Sequence, residues 1–292
     1  MLDQTRQAAD ATGIAHTAAA MQRSRGRAHV GLIAGPGGRT RLADLHQSGC
    51  AKAFLPRIHA PEPEVVLLNT AGGLTGGDRL ELSVDLGPRA RATATTQTAE
   101  RAYESLAHAE PACVNLSLTV APGARLDWLP QETILFEGSA LDRRTRIDLG
   151  ADATILTCET LVLGRAAMGE RLERLRLFDR REIYREGRAL VIDPVRLDDS
   201  SLRGAHRPAG LAGAVAWSTV IFAGPGVEDA LDPARAALAP HLNDRLRAGV
   251  SAWDGRLTAR VAAADGWPLR RALAALLTTL RGGAALPRVW QI

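Results

Sequence analysis

The 292-residue chain is poor in several residue types that usually announce a function. Its three cysteines, Cys50, Cys113 and Cys158, are far apart and form no CxxC pair. That excludes a disulfide scaffold and a cysteine-paired zinc site, and it fits a reducing, cytosolic compartment. The seven histidines are scattered, with no HxH or HExxH. Aromatic residues make up 4 %, too few for the stacking platforms of a single-strand nucleic-acid binder. Lys52 is the one lysine, so Schiff-base chemistry has a single candidate. No apolar run approaches the ~18 residues of a membrane span. Met1 to Ala20 carries polar residues throughout and has no apolar h-region, so no secretory signal is expected there. The sequence holds no GxSxG and no glycine loop followed by Lys-Ser/Thr.

What remains is ordinary globular composition, 46 % hydrophobic and 23 % charged, in a chain long enough to bury a large core. The net charge of +4 is a thin excess of 36 basic over 32 acidic residues and is no polyanion footprint.

Residues 1–26 carry no strand pattern and read as a loose or helical lead-in. Residues 27–292 read as a single β-rich domain. Leu80, Leu82, Val84 and Leu86 alternate with polar residues, as do Val114, Leu116, Leu118 and Val120; each run has one face inward. Val191–Leu197 and Val215–Phe222 read as further strands. Three strand–break–strand segments resemble one another when Leu86, Val120 and Leu149 are aligned, at offsets of 34 and 29 residues (120 minus 86, 149 minus 120). Such spacing suggests stacked β-coils, each covering its neighbour's apolar edge, although the turns of an ordinary β-meander also resemble one another. The fold class expected is therefore mainly β, a stacked β-coil with a small C-terminal α-helical part. Helices are expected near 228–246, interrupted at Pro233 and Pro240, and near 269–281, where Leu269, Leu273, Leu276, Leu277 and Leu280 follow helical spacing. Val250–Ala263 reads as a strand or hairpin between them.

The glycine cluster 72–77, followed by Asp78, is open to three readings. It is a tight bend between strands, a cradle for an anionic cofactor, which a carboxylate in the next position disfavours for phosphate, or a close-packed bend that presents Asp78 to an oxygen-seeking ion or partner. His46 and Cys50, four apart, read as either a soft ligand pair on a helical face or an ordinary surface pair. Residues 170–188 hold seven Arg and five acidic residues, which reads as a solvated, mixed-sign face. Gln131-Glu132 is a polar pair inside an apolar run, so it is either a strand's solvent face or a buried pair needing partners.

The blocks Gln47–Lys52, Leu68–Asp78, Thr95–Arg101, Trp128–Thr133, Gly164–Glu170 and Pro287–Trp290, in this order, resemble the UreD (also called UreH) family of urease accessory proteins. The resemblance runs from about Arg39 to Ile292. It implies a cytoplasmic scaffold and no enzyme. The partners implied are the urease structural subunits, the helical accessory protein UreF and the GTPase UreG. It also implies transient Ni²⁺, with no tightly bound cofactor, and no nucleic-acid or membrane partner. A passage suited to nickel holds it weakly at successive oxygens, because tight His/Cys ligation would trap an ion this high in the Irving–Williams order. The candidate carboxylates are Asp78, Glu100, Glu132, Glu159 and Glu170, with Thr96 and Gln97 beside them. Candidate partner contacts are Leu273, Leu277 and Trp290, which equally suit packing against the chain's own sheet.

Overall fold

The computed structural model describes residues 23–57, 62–106, 108–165 and 169–291. Most of the expected lead-in, residues 1–22, lies outside them. From Arg25 onward the chain is strand-rich. The strands are β1 (Arg25–Ala34), β2 (Thr40–Gly49), β3 (Ala51–Phe54), β4 (Glu64–Asn69), β5 (Arg79–Leu86), β6 (Arg91–Thr96), β7 (Glu100–Ala102), β8 (Ala112–Val120), β9 (Arg125–Trp128), β10 (Thr133–Leu135), β11 (Ser139–Leu149), β12 (Thr154–Leu163), β13 (Leu175–Arg185), β14 (Arg188–Leu197), β15 (Ala216–Ala223), β16 (Leu246–Trp253) and β17 (Arg256–Ala263). Three α-helices accompany them, α1 (Asp199–Gly204), α2 (Leu231–Leu238) and α3 (Gly266–Leu280). The chain is thus mainly β with a few helices.

Two sheets carry the architecture. The first has the order β14-β13-β11-β8-β5-β1-β2; the second runs β16-β17-β15-β12-β9-β6-β4-β3. Strands β1, β5, β8, β11 and β13 pair in parallel, with antiparallel partners β2 and β14 at the edges. In the second sheet β4, β6, β9 and β12 pair in parallel. A short third ladder joins β7, β10 and β12. The chain visits the ladders in turn, and the register pairs Leu86 with Val120 and Val120 with Leu149. These are the offsets read from the three similar turns.

One apolar core lies between the sheets and contains the inward residues of β8, Val114, Leu116, Leu118 and Val120. A second lies on the other face of the second sheet, under α2 and α3. Strand β12 borders both. Ile155 and Leu161 point to the first core, Leu156 and Cys158 to the second. With both faces covered, β12 is buried without a break from Ile155 to Leu161.

Helix α3 starts where Asp265 accepts a hydrogen bond from the Trp267 amide at 2.8 Å, satisfying one of the free N-terminal donors. Its leucines at 269, 273, 276, 277 and 280 are all buried. Its end is tied to the sheet by Arg281, which donates to Asp127 Oδ2 at 2.7 Å and to Thr93 Oγ1 at 3.1 Å.

The helix expected over 228–246 is shorter and shifted. α2 covers Leu231–Leu238, short 3-10 turns flank it, and Leu246 opens β16 instead. Pro233 falls in the first turn of α2, where its missing N–H has no intrahelical partner to lose, so it interrupts nothing. Pro240 lies in the 3-10 turn that follows. Val250–Ala263 belongs to a hairpin of β16 and β17.

Candidate functional site

A strand that faces a core puts every second side chain into it. On β11 the inward row is Leu141, Arg143, Thr145, Ile147 and Leu149; on β12 it is Ile155, Thr157, Glu159 and Leu161; on β13 it is Leu177, Asp179, Arg181 and Ile183. Polar residues therefore occupy the middle of three inward rows. They meet between the sheets. Arg143 grips Asp179 with two parallel bonds, Nε to Oδ1 at 2.9 Å and Nη2 to Oδ2 at 2.6 Å. Its Nη1 reaches Glu159 Oε2 at 2.8 Å and Thr133 Oγ1 on β10 at 3.0 Å. The other oxygen of Glu159, Oε1, accepts from Trp128 Nε1 at 3.4 Å. All three charged residues are under a tenth exposed. Burial pushes the Glu159 carboxyl above its ordinary value, and the Asp179 charge adds to this against the pull of Arg143 and Arg181. On the same inward rows, the buried hydroxyls of Thr145 and Thr157 are among the side-chain atoms with no hydrogen-bond partner among the described residues.

The polar line continues toward both sides. On one side, Glu100 on β7 is the register partner of Thr133, and its charge acts on Arg143. Glu100 Oε1 accepts from the Arg101 amide at 3.1 Å and Oε2 from Asn69 Nδ2 at 3.4 Å. Burial raises its carboxyl above the ordinary value in spite of these bonds. With Asn69, Thr96 and Gln97 it lines a cleft of about 80 Å³. On the other side, Arg181 donates to the Thr219 carbonyl at 3.2 Å and to Asp193 Oδ2 at 2.8 Å; Arg260 takes Asp193 Oδ1 at 3.1 Å. Burial opposes the charge of Asp193, but the two guanidiniums outweigh it and hold its carboxyl below the ordinary value. Asp193, Thr219 and Arg260 line a larger cleft of about 480 Å³.

The remaining sequence candidates are placed elsewhere. Asp78 is 4 % exposed, and its oxygens accept from the amides of Ser24 at 2.8 Å and Thr75 at 2.9 Å. It closes the glycine bend between β4 and β5. In that bend a Cβ on Gly73 would strike the Tyr103 ring and one on Gly76 the Ser105 hydroxyl, so close packing requires both glycines. The Leu74 amide donates to the Arg101 carbonyl, and a phosphate in the bend would face the Asp78 carboxylate. Thr96 Oγ1 accepts from the Gln131 amide at 2.9 Å.

Glu132 sits 3.3 Å from Arg270, which also donates to Gln131 Oε1 at 2.7 Å and stacks over the Trp290 ring at 4.9 Å. The pair 131–132 is thus partnered through its side-chain oxygens, while the buried Gln131 Nε2 has no hydrogen-bond partner among the described residues. Glu170 folds back on Arg165 at 2.8 Å and accepts from the Glu137 amide. Leu273, Leu277 and Trp290 are 1 %, 0 % and 7 % exposed, and the Trp290 indole donates to the Leu129 carbonyl at 2.9 Å. These three serve the chain's own second core. On α3 the exposed large residue is Trp267, at the rim of a mostly apolar groove of about 370 Å³.

Sequence reading missed Arg143, Asp179, Arg181 and Asp193. Asp179 and Arg181 fall inside the charge-rich run that reads as a solvated face, yet they are 6 % and 3 % exposed. The available signal was parity, since both share the phase of Leu177 and Ile183. His46 lies on a strand, so Cys50 four residues on is no helical neighbour. The fold does bring His29 Nδ1 to Ser83 Oγ at 2.9 Å and His29 Nε2 to Asp44 at 3.4 Å, on the outer face of the first sheet. Among the described residues, no group of three or more His, Cys, Asp or Glu side chains is arranged to hold a metal ion.

The sequence profile of the family described as "UreD urease accessory protein" matches residues 24–291. A urease accessory protein UreD from Cereibacter sphaeroides is 55 % identical over 271 residues, 93 % of this chain and 96 % of its own length. One from Dinoroseobacter shibae is 54 % identical over 272 residues, covering 93 % and 94 %. One from Rhizobium leguminosarum bv. viciae is 44 % identical over 271 residues, covering 93 % and 96 %.

Proposed function

The chain belongs to the UreD family of urease accessory proteins, and from that premise we propose how it serves urease maturation. It acts in the cytoplasm as a scaffold that binds apo-urease and the helical accessory protein UreF, and through UreF the GTPase UreG. Its interior offers nickel a polar route on the way to the urease site. The parallel ladders are successive β-coils, so their shared interior runs along the stack and crosses the chain from one side to the other.

The observation that carries this reading is the row of polar groups from half-buried Glu100 through buried Thr133, Glu159, Arg143, Asp179 and Arg181 to half-buried Asp193, with a cleft at each end residue. A fold that needed only stability gains little from such a row, because buried ion pairs rarely outperform apolar packing. Oxygen donors suit a passing Ni²⁺, whose preferred imidazole and thiolate ligands are missing from this row. Glu100 and Glu159 are its carboxylates among the sequence candidates, and Thr96 and Gln97 flank its first cleft. Asp78, Glu132 and Glu170 already have partners in a bend, a helix clamp and a loop. A partner meeting α3 would contact Trp267 and the groove beside it rather than Leu273, Leu277 or Trp290. Among the described residues no helix is long and apolar enough to cross a membrane.

The test is co-expression of the tagged chain with the urease structural subunits, UreF and UreG. Apo-urease should co-purify, and urease nickel should fall when the chain is omitted. Absence of association with all of them would refute the scaffold.

A further inference from the structure

We infer that β2 is a docking edge for a second copy of this chain: two copies pair antiparallel along it, about a two-fold axis at Leu45, and join their first sheets into one. This goes beyond the maturation role and does not rest on the nickel route.

Strand β2 ends the first sheet, so among the described residues its outer row of backbone amides and carbonyls has no ladder partner. Such a row is a template for another strand. The opposite edge of the same sheet, β14, is guarded by Pro194. β2 holds neither proline nor lysine. Its one guard is a bulge: Gly31 pairs with Asp44 and Leu32 with Leu42, which leaves Ala43 over. Beyond the bulge the register is regular from Asp44 to Gly49. There Leu45, opposite Val30, shares the inward face, whereas Asp44 and His46, opposite Gly31 and His29, share the outer one. The inward face is uncovered at this edge. Leu42 is 40 % and Leu45 39 % exposed, and Phe54 is 60 % exposed on β3, the edge strand of the second sheet that follows after Cys50. Charge fixes the occupant. With Leu45 on the axis, positions 44 and 46 of the two copies stand directly opposite, so each Asp44 meets the His46 of the other copy, twice by symmetry. A carboxylate accepts from an imidazole N–H in either protonation state of the ring. The Asp44 side chain is 69 % exposed and holds only His29 Nε2, at 3.4 Å, so its oxygens can reach outward. On the inward face each Leu45 covers the other.

The experiment is sedimentation velocity of the purified full-length chain over a concentration series. Wild type should pass from monomer to dimer, with the weak affinity of a small interface. Asp44→Arg sets a guanidinium against His46, and His46→Glu sets a second carboxylate against Asp44. Each change acts twice across the axis, so each should weaken association about tenfold. Together they set unlike charges opposite again, so the double variant should regain the wild-type dimer, which a loss of fold or of solubility would not produce. Circular dichroism checks that each variant is folded. If the double variant does not fold, Leu45→Lys decides in its place, since like charges on the axis should abolish the dimer. A wild type that stays monomeric at every concentration, or a dimer that none of these changes weakens, overturns the proposal. A folded double variant as weak as the single ones overturns it as well. Those results leave the co-expression test of the scaffold standing, since that test does not depend on β2.

Discussion

Asp179 and Glu159 share one arginine but hold it differently, and their replacements should separate by several kcal/mol. Asp179 takes both parallel bonds from Arg143, at 2.9 and 2.6 Å. Asp179→Ala removes both and leaves a fully buried guanidinium with Glu159 and Thr133 alone. Breaking a buried pair in this way costs about 3–5 kcal/mol. Glu159→Gln keeps the Asp179 grip and offers Arg143 an amide oxygen in place of the carboxylate, at the cost of the bond from Trp128. Its cost should be about one net hydrogen bond, ~1 kcal/mol or less. The assay is urea unfolding of the purified chain followed by circular dichroism, with midpoints compared at equal slope. Asp179→Ala should move the midpoint far below that of Glu159→Gln. Equal losses for the two, or a loss below ~1 kcal/mol for Asp179→Ala, would refute the claim that the clamp bears the electrostatic strain of this interior.

Other consequences follow from the same geometry. Glu100 has its folded pKa raised above the ordinary 4.5, so its share of stability is full below that pH and is lost as pH rises through the folded value; Glu100→Gln should therefore unfold at higher urea than wild type at pH 7, with the gap closing below about pH 4.5. Asp193 has its pKa lowered from 3.8, so the stability it draws from Arg181 and Arg260 is present above that value and lost as pH falls through the folded one; Asp193→Asn should unfold more readily than wild type at pH 7, and the difference should shrink in acid-titrated melts below about pH 3.8. Leu276→Ala, at a site with no exposure in the second core, should cost about 2–5 kcal/mol in the same urea assay. Trp267→Ser, at a site 62 % exposed, should leave the melt unchanged while weakening capture of a partner in pull-downs, whereas intact capture would remove the α3 groove from the partner surface.

The parts of the fold that repeat were legible in the sequence. Similar turns at 86, 120 and 149 lie at the register of the parallel ladders, where Leu86 pairs with Val120 and Val120 with Leu149. The leucine spacing of α3 was legible too, since a helix lying on a sheet must keep one apolar stripe. The interior polar row was largely hidden. Glu100 and Glu159 could be proposed, but Arg143 and Asp179 are 36 residues apart and each looks like a surface charge beside other charges. Only the parity of their strands gives them away, and parity decides nothing until the inward face of each strand is known. For the tail the sequence leaves two readings open, a partner contact or packing on the chain's own sheet, and the Trp290 indole is bonded to the Leu129 carbonyl across the chain.

The most direct measurement is the nickel content of urease co-purified with this chain carrying both Glu100→Gln and Glu159→Gln, set against wild type under the same co-expression. The complex should assemble to the same extent, and nickel per urease active site should fall several-fold. Unchanged nickel in an intact complex would mean that the ion does not use this interior.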